Sequence, residues 1–108
     1  MTLSIEWSNA EKKLARSAYE RALQVEKVAL VAEFKARAQK AEDVDSVWEI
    51  RDWLNERQRE IERTYDFRYS QLLHVFAALI IRGRLRIQDL DGLDGDKLAK
   101  IQLIVELS

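Results

Sequence analysis

The sequence has no cysteine and no proline, and holds only three glycines and one histidine. Without cysteine there is no disulfide, no thiolate nucleophile and no cysteine-bound zinc, a pattern that fits a reducing, cytoplasmic setting. A single histidine excludes a histidine metal cluster, and no cofactor is expected. The segment Gly92-Leu93-Asp94-Gly95 is too short and too acidic for a phosphate-binding loop. The longest apolar run, Val75 to Ile81, falls far short of the ~20 residues of a membrane span, so no membrane insertion is expected. The opening Met1–Trp7 carries neither the basic nor the apolar region of a secretory leader. Charge of neither sign dominates: 18 basic and 19 acidic residues leave a net −1, which speaks against a nucleic-acid or anionic-membrane partner.

What is present points to helix. The first glycine is Gly83, so no strong helix breaker interrupts anything before it. Hydrophobic residues at 47% and charged residues at 34% suit a helical chain rich in surface ion pairs, and 108 residues make one domain. Ser8 and Glu11 fit a capping box that opens a helix from about Asn9 to about Lys40. Such a helix is roughly 45 Å long, too long for a compact globule of this size. Along it Ala18, Ala22, Val25, Ala29, Ala32 and Ala36 alternate by four and three, the spacing of a close helix–helix seam. Either a second copy of the chain or the following helix covers that seam.

Glu42–Ser46 is the first interruption, with Asp45 or Ser46 as the cap of the next helix. From Trp48 the pattern runs without a breaker to Arg82, as one long helix or two nearly collinear ones. Ile50, Leu54, Ile61, Tyr65, Leu72, Phe76 and Leu79 keep helical spacing, and Gln58 falls where that seam expects an apolar residue. Glu56–Arg59 and Glu60–Arg63 are expected as ion pairs. Gly83 ends the helix. Arg82, Arg84 and Arg86 around it either form an anion site or offset the helix dipole. A short turn from Ile87, closed by Gly92, precedes a last helix from about Gly95 to Glu106 capped by Asp94. The expected fold is all-α: long antiparallel helices form a dimerisation stalk, about 8–63, and a small helical head follows, about 64–108. The expected dimer surface is Ala22, Val25, Ala29, Ala32, Ile50 and Leu54.

No catalytic set emerges, and an enzyme is not expected. His74 reads as a neutral, half-buried histidine with no carboxylate at helical spacing. Trp48, Arg51, Asp52 and Trp53 gather within two turns, and Trp and Arg are enriched at interface hot spots. They form a binding patch, or the tryptophans cap the core between the long helices. Five residues apart, the two rings point to different sides.

These residues carry a resemblance. Trp48-x-x-x-Asp52-x-Leu54, Glu60-Ile61, Tyr65-Asp66-Phe67-Arg68-Tyr69-Ser70, Val75-Phe76-Ala77, Gly83, and Gly92-Leu93-x-x-Asp96-Lys97-Leu98-x-x-Ile101 resemble the fluorescence recovery protein family over roughly residues 45–104. The resemblance implies an all-α homodimer with a non-enzymatic role. Such a protein binds the photoactivated orange carotenoid protein, largely through that protein's C-terminal domain, and speeds its return to the resting orange form. It implies partner contacts at Trp48, Asp52 and Lys100. Three positions depart from the family pattern: a histidine is Arg51 here, an arginine is Gln58, and a phenylalanine is His74. A dimeric adaptor for a different protein partner is the alternative reading.

Overall fold

The computed structural model describes residues 5–108, so Met1–Ser4, part of the stretch read as lacking a leader, lies outside the described residues. The chain is all helical: α1 spans Asn9–Lys40, α2 Val44–Thr64, α3 Leu72–Ile81 and α4 Gly95–Leu107, with a 3-10 turn at Ile87–Leu90. The capping box forms as its spacing requires. The Ser8 amide donates to Glu11 Oε1 at 3.0 Å and the Glu11 amide donates to Ser8 Oγ at 3.1 Å. The α2 cap is neither Asp45 nor Ser46 but Asp43, whose carboxylate accepts from the Ser46 amide at 2.9 Å and hydroxyl at 2.7 Å. Only Ala41–Asp43 separate α1 from α2. Cross-helix pairs show the antiparallel register, since residue numbers on α2 fall as those on α1 rise: Tyr65 with Glu26, Arg57 with Glu33, Trp53 with Arg37.

The expected run from Trp48 to Arg82 is broken. α2 stops at Thr64 and the chain stays irregular until Leu72. No breaker residue causes this; tertiary contacts do. The Tyr65 hydroxyl reaches Glu26 and the Ala22 carbonyl, at 3.1 and 3.2 Å. The Phe67 ring stands edge-on to Tyr19 at 5.0 Å with Arg16 at 3.8 Å from its centroid, and Tyr69 packs on Trp7 at 5.7 Å. A continuous helix would swing these rings around its axis and off α1. Gly83, at φ +76°, closes α3 in a Schellman arrangement: its amide donates to Ile80 O and the Arg84 amide to Leu79 O. Gly92, at φ +115°, lies in the left-handed region that favours glycine, and a Cβ there would lie 2.7 Å from Leu14 Cδ1 and push that side chain aside.

The core sits at one end. Leu72, Phe76, Leu79, Leu90 and Ile101 are fully buried, α1 adds Ala15, Ala18, Tyr19 and Ala22, and Trp7 joins them from just before α1. The N-terminal half of α1, which the sequence reading assigned to a stalk, is therefore part of the head. Ala22, expected on the dimer surface, is 1% exposed within this core. Its small side chain lets Tyr65 come close, so this stretch of the alanine seam is used inside the chain. The distal half of α1 and α2 project away. The molecule measures 56 × 26 × 23 Å with a radius of gyration of 16.9 Å, against about 13 Å for a compact chain of this length.

Among the described residues, three charged side chains lie inside: Glu11, Glu26 and Lys97. Glu26 is wholly buried. Its Oε1 faces Arg82, with Nη2 at 2.9 Å, and the Tyr65 hydroxyl; its Oε2 faces Arg57 at 3.3 Å and Arg84 at 3.2 Å. Thus Arg82 and Arg84 do hold an anion, and it is the protein's own carboxylate. At the other end of the head, Lys97 Nζ donates to the Glu6 carbonyl at 2.6 Å, to Glu11 at 3.1 Å and to Asp94 at 2.9 Å. Glu11 also accepts from the Asp94 amide, so one residue joins the starts of α1 and α4.

Burial alone would raise the Glu26 pKa, but the hydrogen bond and charge of Arg82, joined by Arg84, hold it below 4.5. The Ser8 and Asp94 amides hold Glu11 below the same value. Their contribution to stability is therefore complete above 4.5 and is lost as pH falls through the lower folded values. The urea midpoint should fall on going from about pH 6 to about pH 3. Glu26→Gln should cost about 3 kcal/mol at neutral pH, since it leaves three guanidinium groups without their carboxylate, and should flatten the acid response. A wild-type midpoint indifferent to acid would contradict this account.

Candidate partner-binding surface

Helix α2 has no fully buried residue. Ile50, Trp53, Leu54, Arg57 and Ile61 are half-buried along its inner side, and its outer side is open. At its start the two tryptophans part company. Trp53 is half-buried under the Arg37 guanidinium, 4.2 Å from the ring centroid, and so closes the seam between α1 and α2. Trp48 faces outward, 49% exposed. Arg51 lies 5.3 Å from the Trp48 centroid and pairs with its neighbour Asp52, Nη2 to Oδ1 at 3.0 Å. Both charged side chains are well exposed, so the pair adds little stability. Instead it presents an amphipathic ring beside a linked cation and anion, with exposed Val44 and Val47 on the preceding turn.

The other candidates are scattered. Gln58 is exposed on α2 and donates to Glu62 Oε1 at 3.3 Å. His74 is exposed, not half-buried as its apolar neighbours suggested, because Val75, Phe76 and Ala77 take the inward positions. It lines a notch between α2 and α3. Lys100 is exposed on α4 and forms no ion pair among the described residues. Glu60 pairs with Arg57 at 3.3 Å and faces Arg82 at 3.7 Å, rather than pairing with Arg63.

A second surface lies on α1. Val25 and Val28 are 47% and 60% exposed. With Ala29, Ala32, Arg21 and Gln24 they line an open apolar groove of about 510 Å³. Of the expected dimer residues, Val25, Ala29 and Ala32 share this groove, Ile50 and Leu54 are half-buried on α2, and Ala22 is in the core. The buried charges Glu11, Glu26 and Lys97 were not foreseen. For Glu26 a signal existed: it continues the four-residue spacing of Ala18 and Ala22, on the inward face of α1.

No group of side chains able to hold a metal ion occurs among the described residues, and no described helix is long and apolar enough to cross a membrane. The molecule is thus an elongated helical protein whose open features are surfaces. Residues 7–105 match the sequence profile of the photoprotection regulator fluorescence recovery protein. The fluorescence recovery protein of Synechocystis sp. PCC 6803 is 33% identical over 106 residues, 98% of this chain and 97% of that protein. The solved structure of the Fremyella diplosiphon fluorescence recovery protein superposes with a TM-score of 0.90 at 35% identity, covering 94% of this chain and 99% of that one. The Synechocystis structure superposes at 0.89 and 33%, with the same coverage. The chain belongs to the fluorescence recovery protein family. These relatives are named as regulators, not enzymes.

Trp48→Ala should change the unfolding free energy by less than about 0.5 kcal/mol, as expected of an exposed side chain outside the core. Trp53→Ala should cost more, since it uncovers the α1–α2 seam. Thermal melts of the two variants check this, and equal losses would contradict the division of roles.

Proposed function

We propose that this protein is a non-enzymatic regulator of photoprotection. It binds the photoactivated, red form of the orange carotenoid protein through that protein's C-terminal domain and accelerates its return to the orange form, which ends the quenching of phycobilisome fluorescence. The reading is carried by family membership over nearly the whole chain, joined to the outward Trp48–Arg51–Asp52 surface. The mechanism is differential binding. A surface that holds the reassembling arrangement of the carotenoid protein more tightly than the separated one lowers the barrier between them. It needs no cofactor and no covalent step. Trp48 supplies apolar area, Arg51 and Asp52 fix orientation, and Gln58, His74 and Lys100 extend the contact. The protein works in the cytoplasm, at the thylakoid surface beside phycobilisomes.

The working unit is a homodimer built on the α1 groove around Val25, Val28, Ala29 and Ala32. Contiguous apolar surface of this kind on a helix marks an interaction site. Val28→Glu should halve the mass measured by light scattering while leaving the helical circular dichroism unchanged. An unaltered mass would move the interface elsewhere.

Decay of the red absorbance after illumination, with and without the protein, tests the function. Acceleration is expected, and none at several-fold excess would sink the reading. One observation favours the adaptor alternative: Gln58, where the family resemblance implies an arginine, is engaged with Glu62. If the wild-type chain is inert and Gln58→Arg gains recovery activity, the surface has been turned to another protein partner.

A further inference from the structure

Between the end of α2 and the start of α3 lies an open notch of about 280 Å³, lined by Arg63, Asp66, Gln71 and His74, with Val75 and Ala78 on its apolar side. Arg63 has an acid three residues away on each side, and both are committed elsewhere. Glu60 turns to Arg57 and Arg82. Asp66 is gripped by Arg68, whose Nε lies 2.9 and 3.0 Å from its two carboxylate oxygens. Arg63 therefore has no ion pair among the described residues, and the side chains of Gln71 and His74 have no hydrogen-bond partner there. The one carboxylate in the notch is neutralised. What faces outward is a cation with two further donor-bearing side chains, and no acceptor meets them.

We infer that this notch receives an acidic side chain, Asp or Glu, of a docked protein partner. A carboxylate matches the guanidinium fork of Arg63, with room for hydrogen bonds from Gln71 and His74. Val75 and Ala78 give the methylenes of the incoming side chain an apolar wall. An open notch of this size holds a free anion weakly. A side chain presented by a docked protein brings the rest of its interface with it. Arg63 shares α2 with Trp48 and Arg51, so one partner lying along that helix can meet both regions. The inference rests on the reading that this chain docks on a protein. It adds the chemistry that part of the partner must carry.

Two experiments test it separately from the proposed function. In the first, amide and side-chain spectra of the 15N-labelled full chain are followed as N-acetyl-glutamate amide, its glutamine counterpart or inorganic phosphate is added. The glutamate probe should shift the signals of Arg63 Nε–H, Gln71 and His74, and the neutral counterpart should not. Arg63→Ala should abolish the response. No response to the glutamate probe, or an equal response to phosphate, overturns the assignment. In the second, Arg63→Glu should weaken binding to the illuminated carotenoid protein about three- to tenfold, with the thermal midpoint unchanged. If wild type accelerates recovery and Arg63→Glu matches it, the notch is not used and the proposed function stands. If wild type is inert toward the carotenoid protein, the proposed function falls, and the probe titration still decides the notch.

Discussion

The structure depends on the clasp around Glu26. A carboxylate removed from water is strongly destabilising unless its partners replace the lost hydration, and here three arginines and a tyrosine hydroxyl do so. Each partner comes from a different place: Arg57 from α2, Tyr65 from the joint after it, Arg82 from the end of α3, Arg84 from the turn beyond. All converge on one position of α1. Since α2 buries no residue completely, hydrophobic packing alone defines its position weakly. The clasp sets where α2 leaves the head and which of its faces turns inward. The Schellman turn at Gly83 completes the arrangement by placing two arginines, two residues apart, on the same carboxylate.

This inward commitment shapes the outer surface. Arg57, Arg82 and Arg84 are spent on Glu26, and Glu60 is drawn in beside them. Arg51, Arg59 and Arg63 are left facing solvent on α2, Arg51 beside Trp48 and Asp52 and Arg63 at the notch. An elongated shape with a core at one end leaves most of α2 and the distal half of α1 open. That is a poor design for enclosing a small molecule and a good one for lying along another protein.

How much the sequence reveals differs from element to element. The limits of α1 were legible to the residue, because the Ser8–Glu11 box and the lack of breakers are local signals. So were Asp94 as the cap of α4 and Gly83 as the end of α3. The break after Thr64 was legible only as the option of two nearly collinear helices, since residues 65–71 contain no breaker and the joint is held by Tyr65, Phe67 and Tyr69 against α1 and Trp7. The inward position of Glu26 is legible from its spacing with Ala18 and Ala22, but its partners are not, because Arg57 and Arg82 lie 31 and 56 residues away along the chain. The same gap hid the use of Ala22: spacing shows that a stripe will be covered, not which helix covers it. At the candidate site, Trp48, Arg51 and Asp52 were legible as a local cluster. Which tryptophan faces out was decided by Arg37, from the other helix. His74 lies beside apolar residues in sequence yet faces solvent, since three consecutive neighbours fill the inward positions.

The N-terminal half of α1 and the joint are used up inside the molecule, while the outer face of α2 stays open to a protein partner. Differential hydrogen exchange, with and without the illuminated orange carotenoid protein, tests it most directly. New protection should concentrate on amides from Val47 to Arg63, with the core amides of α3 unchanged. Protection confined to the N-terminal half of α1, or none on α2 in a complex that demonstrably forms, would contradict it.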